Sequence, residues 1–397
     1  MRTTTFRDVL LEEIAEIKSG VGFPISMQGC ESGDFPFAKV GDISNRARSG
    51  EQFISDAPNW VKNEDLSTLK FTPFPTGTIV FAKIGEAIRQ NFRAVSTRPM
   101  LFDNNVMGVI PQEERVDTTY LYFYLRTLDF YHLAGKTTVP AIRKSTIEKL
   151  KIPLPPLEEQ RRIAAILDKA DGVRRKRKEA IRLTEELLKS TFLEMFGDPV
   201  TNPKGWEICE LQNVCNRVTD GTHQPPNWAD EGIPFLFVSN IVNGEIDFKV
   251  SKHITEESWF ELTSRCPIEI NDILYTTVGS YGNAALVRTK NRFCFQRHIA
   301  HIKPDSRSIE PEFLLGMMQS DWIRQQADKQ ARGVAQKTLN LRELKKFTIF
   351  TPPIEEQKKY VKLRQGVEKQ LSYYRSALEQ SENLFNSLLQ RAFRGEL

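Results

Sequence analysis

Hydrophobic and polar positions along the chain follow two different periods. Residues 78–84 (TIVFAKI), 106–110 (VMGVI), 234–238 (PFLFV) and 272–278 (DILYTTV) are short runs of β-branched and aromatic residues bounded by Gly and Asn, which predicts strands. Short helical stretches are interleaved, around 120–128 and at the counterpart 313–323. From Leu157 the period changes. A seam of alternating three- and four-residue steps runs through Leu167, Ala170, Arg174, Arg177, Ile181, Thr184, Leu188, Thr191 and Met195. A second seam runs through Arg364, Val367, Leu371, Tyr374, Leu378, Ser381, Phe385, Leu388 and Ala392. Both predict long helices with coiled-coil spacing, although neither seam is wholly apolar. The first helix should start near Leu157, with Glu158 and Glu159 in its first turn, and stop near Phe196, where Gly197 and Pro199 follow. About forty residues at 1.5 Å each give roughly 60 Å, enough to brace two globules at a fixed distance.

These patterns occur twice. PPLEEQ at 155–160 returns as PPIEEQ at 352–357, FPFAKVGDISN (35–45) aligns with IPFLFVSNIVN (233–243), and GTIVFAKIG (77–85) with NDILYTTVG (271–279). A unit near half the chain means a duplicated domain rather than a solenoid. Two like units can lie about a pseudo-twofold axis and present equivalent surfaces to a near-symmetric rod such as duplex DNA. The fold expected is therefore α/β (α+β) globules, duplicated, with two long antiparallel coiled-coil-like helices as a spacer.

Composition narrows the class only a little. The chain has 397 residues, 40% hydrophobic and 27% charged, with a formal net charge of +4, so a nucleic-acid surface has to be a local patch. No apolar run reaches the roughly 18 residues that cross a bilayer. The start, MRTTTFRDVLLEEIAEIKSG, carries acidic residues where a signal peptide needs an apolar stretch, and the five cysteines include no CxxC pair. A cytoplasmic protein without membrane contact is expected.

The paired PPxEEQ motifs with their long helices, the helix ends LEMFGDP (193–199) and RAFRGEL (391–397), and PKGW (203–206) leading into the second globule resemble the specificity subunit of type I restriction-modification systems. That resemblance implies target-recognition domains at 1–150 and 200–347, each reading half of a split double-stranded DNA sequence. It also implies conserved spacer helices at 151–199 and 348–397 that dock two modification (methyltransferase) subunits. ATP-dependent restriction subunits, acting as translocase and nuclease, join the full assembly. S-adenosylmethionine, ATP and Mg then belong to partner subunits, and this chain holds no cofactor or metal. Two departures stand out: the first half lacks a PxGW run, and it has SGVGFP (19–24) where the second half has TDGTHQPP (219–226).

Phosphate contacts need Lys, Arg or small polar groups, whereas base reading in the major groove uses Arg, Asn and Gln. Four loops offer them. Asn45, Arg46 and Arg48 are matched by Asn240 and Asn243. Arg89, Gln90, Asn91 and Arg93 are matched by Ser280, Tyr281 and Asn283. Lys136, Arg143 and Lys144 are matched by Arg332, Gln336 and Lys337. Thr222, His223 and Gln224 occur in the second half alone. Each could equally be a solvated loop residue. The basic run 174–178 reads as a solvated helix face able to pair with Glu368 and Glu379, or as a phosphate stripe.

Catalytic patterns are missing. AGKTT (134–138) lacks the upstream glycine of a phosphate loop, and His298 and His301, at an odd separation on a strand, point to opposite faces rather than to one metal. No glycine-rich cofactor loop and no NPPY-like motif is present, and Glu343 and Lys345 have no PD pair at nuclease spacing. The reading is a non-catalytic DNA-specificity subunit. The alternatives are a stand-alone DNA-modifying or nicking enzyme, which would bind S-adenosylmethionine by itself, and a coiled-coil scaffold binding protein rather than DNA.

Overall fold

The computed structural model describes residues 6–135, 138–242, 244–333 and 337–397. It divides into two compact units, Met1–Arg182 with Tyr373–Leu397 and Leu183–Ser372.

In the first unit, strand Arg7–Leu10 pairs antiparallel with Lys151–Leu154, so the globule opens and closes on one two-stranded ribbon. Between them lie a five-stranded sheet, in the order Ala15–Ser19, Val106–Pro111, Ile79–Ala82, Arg93–Ser96 and Phe53–Ile54, and a three-stranded sheet of Asn59–Val61, Phe35–Ala38 and Leu101–Phe102. The larger sheet is buried on both faces, and on one of them Val80, Ala94 and Val106 pack with Phe74 and Phe102. Ile17, Ile79, Phe81 and Val109 pack against Tyr120, Leu121 and Phe123 of helix Thr118–Thr127, and against Ile163 and Leu167 of the first long helix. Each such fully buried apolar side chain contributes about 1.5–3 kcal/mol of transfer free energy.

The second unit repeats the scheme. Strand Glu207–Glu210 pairs antiparallel with Thr348–Thr351. One four-stranded sheet runs Cys215–Asp220, Ile299–Pro304, Ile273–Thr276, Ala284–Leu286, and another runs Trp228–Ala229, His253–Ile254, Ile233–Leu236, Cys294–Phe295. The helix expected over 313–323 is two helices, Pro311–Met318 and Asp321–Gln330. The break has a local cause: the Ser320 hydroxyl accepts a hydrogen bond from the Ile323 amide and so starts a new helix in mid-pattern.

The two long helices span Leu157–Phe196 and Ile354–Phe393, 40 residues each. Gly197, at φ +80°, ends the first, its amide bonding the Leu193 carbonyl at 2.7 Å. Within the first unit the helices run antiparallel: Arg162 bonds the Leu397 carbonyl, Arg174 covers the Phe385 ring and Lys178 pairs with Glu382 at 2.9 Å. Seam arginines are absorbed locally, Arg177 bonding the Ala377 carbonyl and the Ser381 hydroxyl. The partners expected for the basic run are therefore wrong. Arg174 and Arg175 pair with Asp171 on their own helix, while Glu368 holds Arg288 and Arg364 within the second unit.

The repeated proline motif has a structural role. Its Pro residues keep the strand end extended, and its Gln is buried at the helix start: Gln160 accepts from the Asp117 amide at 2.8 Å and donates to the Pro155 carbonyl at 2.9 Å. Gln357 does the same with the Glu310 amide (2.8 Å) and the Pro352 carbonyl (2.7 Å). Each Gln ties a long helix to the backbone just before a core helix of its globule.

Candidate nucleic-acid interface

Each unit gathers several loops at one end of its sheet with the same backbone hydrogen bonds. In the first, the Lys83 amide bonds the Asn105 carbonyl, the Gly85 amide bonds the Pro140 carbonyl, and the Ile142 amide returns to the Lys83 carbonyl, all at 2.8 Å. In the second, the Thr277 amide bonds the His298 carbonyl (2.9 Å), the Gly279 amide the Lys337 carbonyl (3.0 Å), and the Leu339 amide the Thr277 carbonyl (2.8 Å). A further strand end crosses underneath, at Gly20 in one unit and Gly221 in the other. A Cβ there would lie 1.9 Å from the Asp103 oxygen or 2.3 Å from the Phe295 oxygen, so only glycine permits the approach.

On this frame the first unit exposes Arg89, Gln90, Arg143 and Lys144. Arg89 stacks over Tyr131 with 4.1 Å to the centroid and pairs with Glu86 at 3.0 Å, while Arg48 reaches Gln90 at 2.7 Å. Arg48 stands with Asn45 and Arg46 on helix Val40–Arg48 rather than in a loop; Asn45 accepts from Arg48 and Arg46 pairs with Glu51. The second unit exposes His223, Gln224, Ser280, Arg332 and Lys337. His223 pairs with Asp220 at 2.8 Å, and Thr222 bonds the Gln224 carbonyl at 2.8 Å, which fixes the shape of the loop.

Five expected contact residues point inward or are used up. Arg93 is 4% exposed, stacks on Phe130 and bonds the Asn91 and Leu128 carbonyls. Asn91 spends its amide on the Leu128 carbonyl and the Phe130 amide. Asn240 is buried as the acceptor of the Phe237 amide and donor to the Asp247 carbonyl. Tyr281 is buried with its hydroxyl on Asp328, and Asn283 donates to the Ser280 carbonyl. The three asparagines close turns, a use that sequence does not separate from base reading, while Arg93 and Tyr281 are held by packing and by their own partners. Lys136, Asn243 and Gln336 lie outside the described residues.

The frame also brings forward residues the sequence reading passed over. Asn104 and Asn105 in the first unit occupy the positions of Arg297 and His298 in the second, as the parallel pairs Ala38 with Phe102 and Leu236 with Phe295 fix the register. Burial, then Arg297, then His223 hold His298 below its ordinary pKa. Lys83 is likewise lowered by burial, against the pull of Asp103. The signal available in sequence was the alignment of LFDNN with CFQRH, two unlike polar triplets following a matched strand.

The two histidines have separate roles. His301 is buried, 2.6 Å from Asp272 and 3.4 Å from the Cys266 sulfur, while His298 borders the loops. Among the described residues no group of three or more His, Cys, Asp or Glu is placed to hold a metal, and no helix is long and apolar enough to cross a membrane.

The duplicated frame has a counterpart among known proteins. The family model described as type I restriction modification DNA specificity domain matches residues 4–183 and again 203–373. The chain belongs to this family. It is 26% identical to the type I restriction enzyme EcoBI specificity subunit of Escherichia coli, over 98% of this chain and 85% of that one. It is 22% identical to the MjaIX specificity subunit of Methanocaldococcus jannaschii, over 98% and 92%. A crystal structure of a type I restriction-modification S subunit from M. genitalium covers 98% of this chain and 96% of its own, with 15% identity and a TM-score of 0.59, so the fold is shared with that protein.

Proposed function

We propose that this specificity-family chain reads a bipartite double-stranded DNA target, one half-sequence per unit, and is itself non-catalytic. The observation that carries the reading is the duplicated loop frame: the same backbone bonds hold up unlike side chains, Arg89, Asn104 and Arg143 in one unit and His223, Arg297 and Lys337 in the other. A common scaffold with different polar tips suits two separate half-sequences read by the same geometry. Arg297 and Lys337 are the strongest candidates for guanine or phosphate contact in the second unit, and Arg89 and Arg143 in the first.

Its partners are DNA and the protein subunits of a type I system. More specifically, two modification subunits dock on the long helices, whose outward faces leave Val173, Tyr373 and Leu384 exposed in one unit and Leu183, Leu187 and Leu363 in the other. S-adenosylmethionine, ATP and Mg are held by those subunits and by the restriction subunits, in the cytoplasm where the DNA lies.

The test is a methylome. Replacing residues 1–150 with the first domain of another family member, in cells that carry the cognate modification subunit, should change one half of the methylated sequence and leave the other intact. Change in both halves, or in neither, would refute separable readers.

A further inference from the structure

The first unit contains a basic cleft of about 560 Å³ beside its exposed loop face. Its walls are the end of helix Val40–Arg48, the turn carrying Gln90 and Arg93, Arg126 of helix Thr118–Thr127, and residues 171–182 of the first long helix. Seven cationic side chains line it against three carboxylates. The excess of four positive charges equals the formal net charge of the entire chain, +4. The residues outside the cleft therefore sum to a formal net charge of zero.

The arrangement inside is short of negative charge. Asp171, 1% exposed, lies 2.6 Å from Arg174, 3.1 Å from Arg175 and 3.4 Å from Arg126, so three guanidinium groups share one carboxylate. Arg93, also buried in this wall, has its Nε without a hydrogen-bond partner among the described residues, and so does Arg174. A buried donor left unpaired is costly, and burial together with the charge of Arg126 pushes the Arg93 guanidinium down to about 9. An anion entering the cleft would relieve both penalties.

The second unit lacks this device. In the register of its sheet and helices, Ala284 stands for Arg93, Gln319 for Arg126, and Leu371 and Ser372 for Arg174 and Arg175. Its buried Arg364 is answered by Glu368 at 2.8 Å and the Gln319 side-chain oxygen at 2.9 Å.

We propose that this cleft seats a backbone phosphate of duplex DNA beside the half-sequence that the first unit reads. The proposal rests on the DNA-reading function above. Continuity favours DNA over a free anion, because Arg48 and Gln90, joined at 2.7 Å, belong both to the rim of the cleft and to the exposed loop face. Such a contact adds affinity without sequence preference, and it acts on one side of the target only.

The test uses the full chain and a short duplex of random sequence, with binding followed by fluorescence anisotropy over a range of NaCl. The variant Arg175→Gln/Lys178→Gln removes two rim charges and leaves Asp171 held by Arg126 and Arg174; Lys178→Gln alone serves as the milder version. Each phosphate contact adds about 0.9 to the slope of log K against log salt, so the double variant should flatten the slope by about 1–2. The control Lys358→Gln/Lys359→Gln, which changes net charge equally by removing exposed pairs on the second long helix, should leave the slope unchanged. An unaltered slope in the cleft variant with intact binding overturns the cleft assignment alone, as does equal flattening in the control. Thermal unfolding with inorganic pyrophosphate separates the two anions: a rise in unfolding temperature in the wild-type chain that the double variant loses, with an unaltered DNA slope, also overturns the proposal in favour of a free anion. Failure of the wild-type chain to bind any duplex overturns the DNA reading and the cleft together.

Discussion

Gln160 and Gln357 show how a motif can be repeated for reasons of structure alone. Each is almost fully buried and satisfies the backbone amide that precedes a core helix, at 2.8 Å in both units. Replacing either with Leu keeps the volume but strands that amide, together with the Arg115 and Pro155 carbonyls in the first unit and the Pro352 carbonyl in the second. Gln160→Leu and Gln357→Leu should therefore each cost about 1–3 kcal/mol in chemical denaturation, with the loss felt in the unit that carries the change. A cost within error of zero would show that water replaces the side chain. The same logic explains which polar residues could not be assigned from sequence. Asn91 and Asn240 look like base readers because Asn is what base reading needs, yet Asn is also what a tight turn needs, and here the turn takes both its donor and its acceptor.

Elements that carry a long-period signal were legible; those decided by a single contact were not. The first long helix begins at Leu157 and ends at Phe196, as the proline motif and the Gly197 stop indicate. The strands of residues 78–84 and 272–278 form at Ile79–Ala82 and Ile273–Thr276, because their apolar runs are bounded by turn residues. The break at Ser320 rests on one hydroxyl, and the gathering of loops rests on backbone bonds between distant segments, neither of which leaves a local pattern. Crossing points of the frame offer the sharpest test at this scale. Gly221→Ala would push a methyl group to 2.3 Å from the Phe295 carbonyl oxygen and 2.5 Å from that of Gln296, both backbone atoms that cannot rotate away. Thermal unfolding should show a loss of about 1–3 kcal/mol or more, and the second half of the target should be read less strictly while the first is unchanged. An alanine variant with native stability and full discrimination would mean that the loop frame tolerates displacement.

For the whole molecule, the proposed function leaves this chain the reading of DNA and its partners the catalysis. Nothing among the described residues joins a nucleophile, a cofactor loop and an acid or base into one site; Asp272, His301 and Lys303 form a largely buried polar cluster in which the carboxylate is shared by the imidazole and the ammonium group. The purified chain should therefore neither transfer methyl groups from S-adenosylmethionine to DNA nor cut it, as assayed with radiolabelled methyl donor and supercoiled plasmid. Methyl transfer by this chain alone would contradict the assignment. The ribbon that opens and closes each globule has a different kind of consequence. Strand Glu207–Glu210 lies residue by residue against Thr348–Thr351, and Arg7–Leu10 against Lys151–Leu154, so the chain leaves each globule beside the point where it entered. Everything between is a closed excursion anchored at one seam. Crossing over between related genes at those two strands would transplant an entire reading head without disturbing the helices that follow, and a lineage would acquire a new methylation signature in one recombination event rather than by gradual change of single residues.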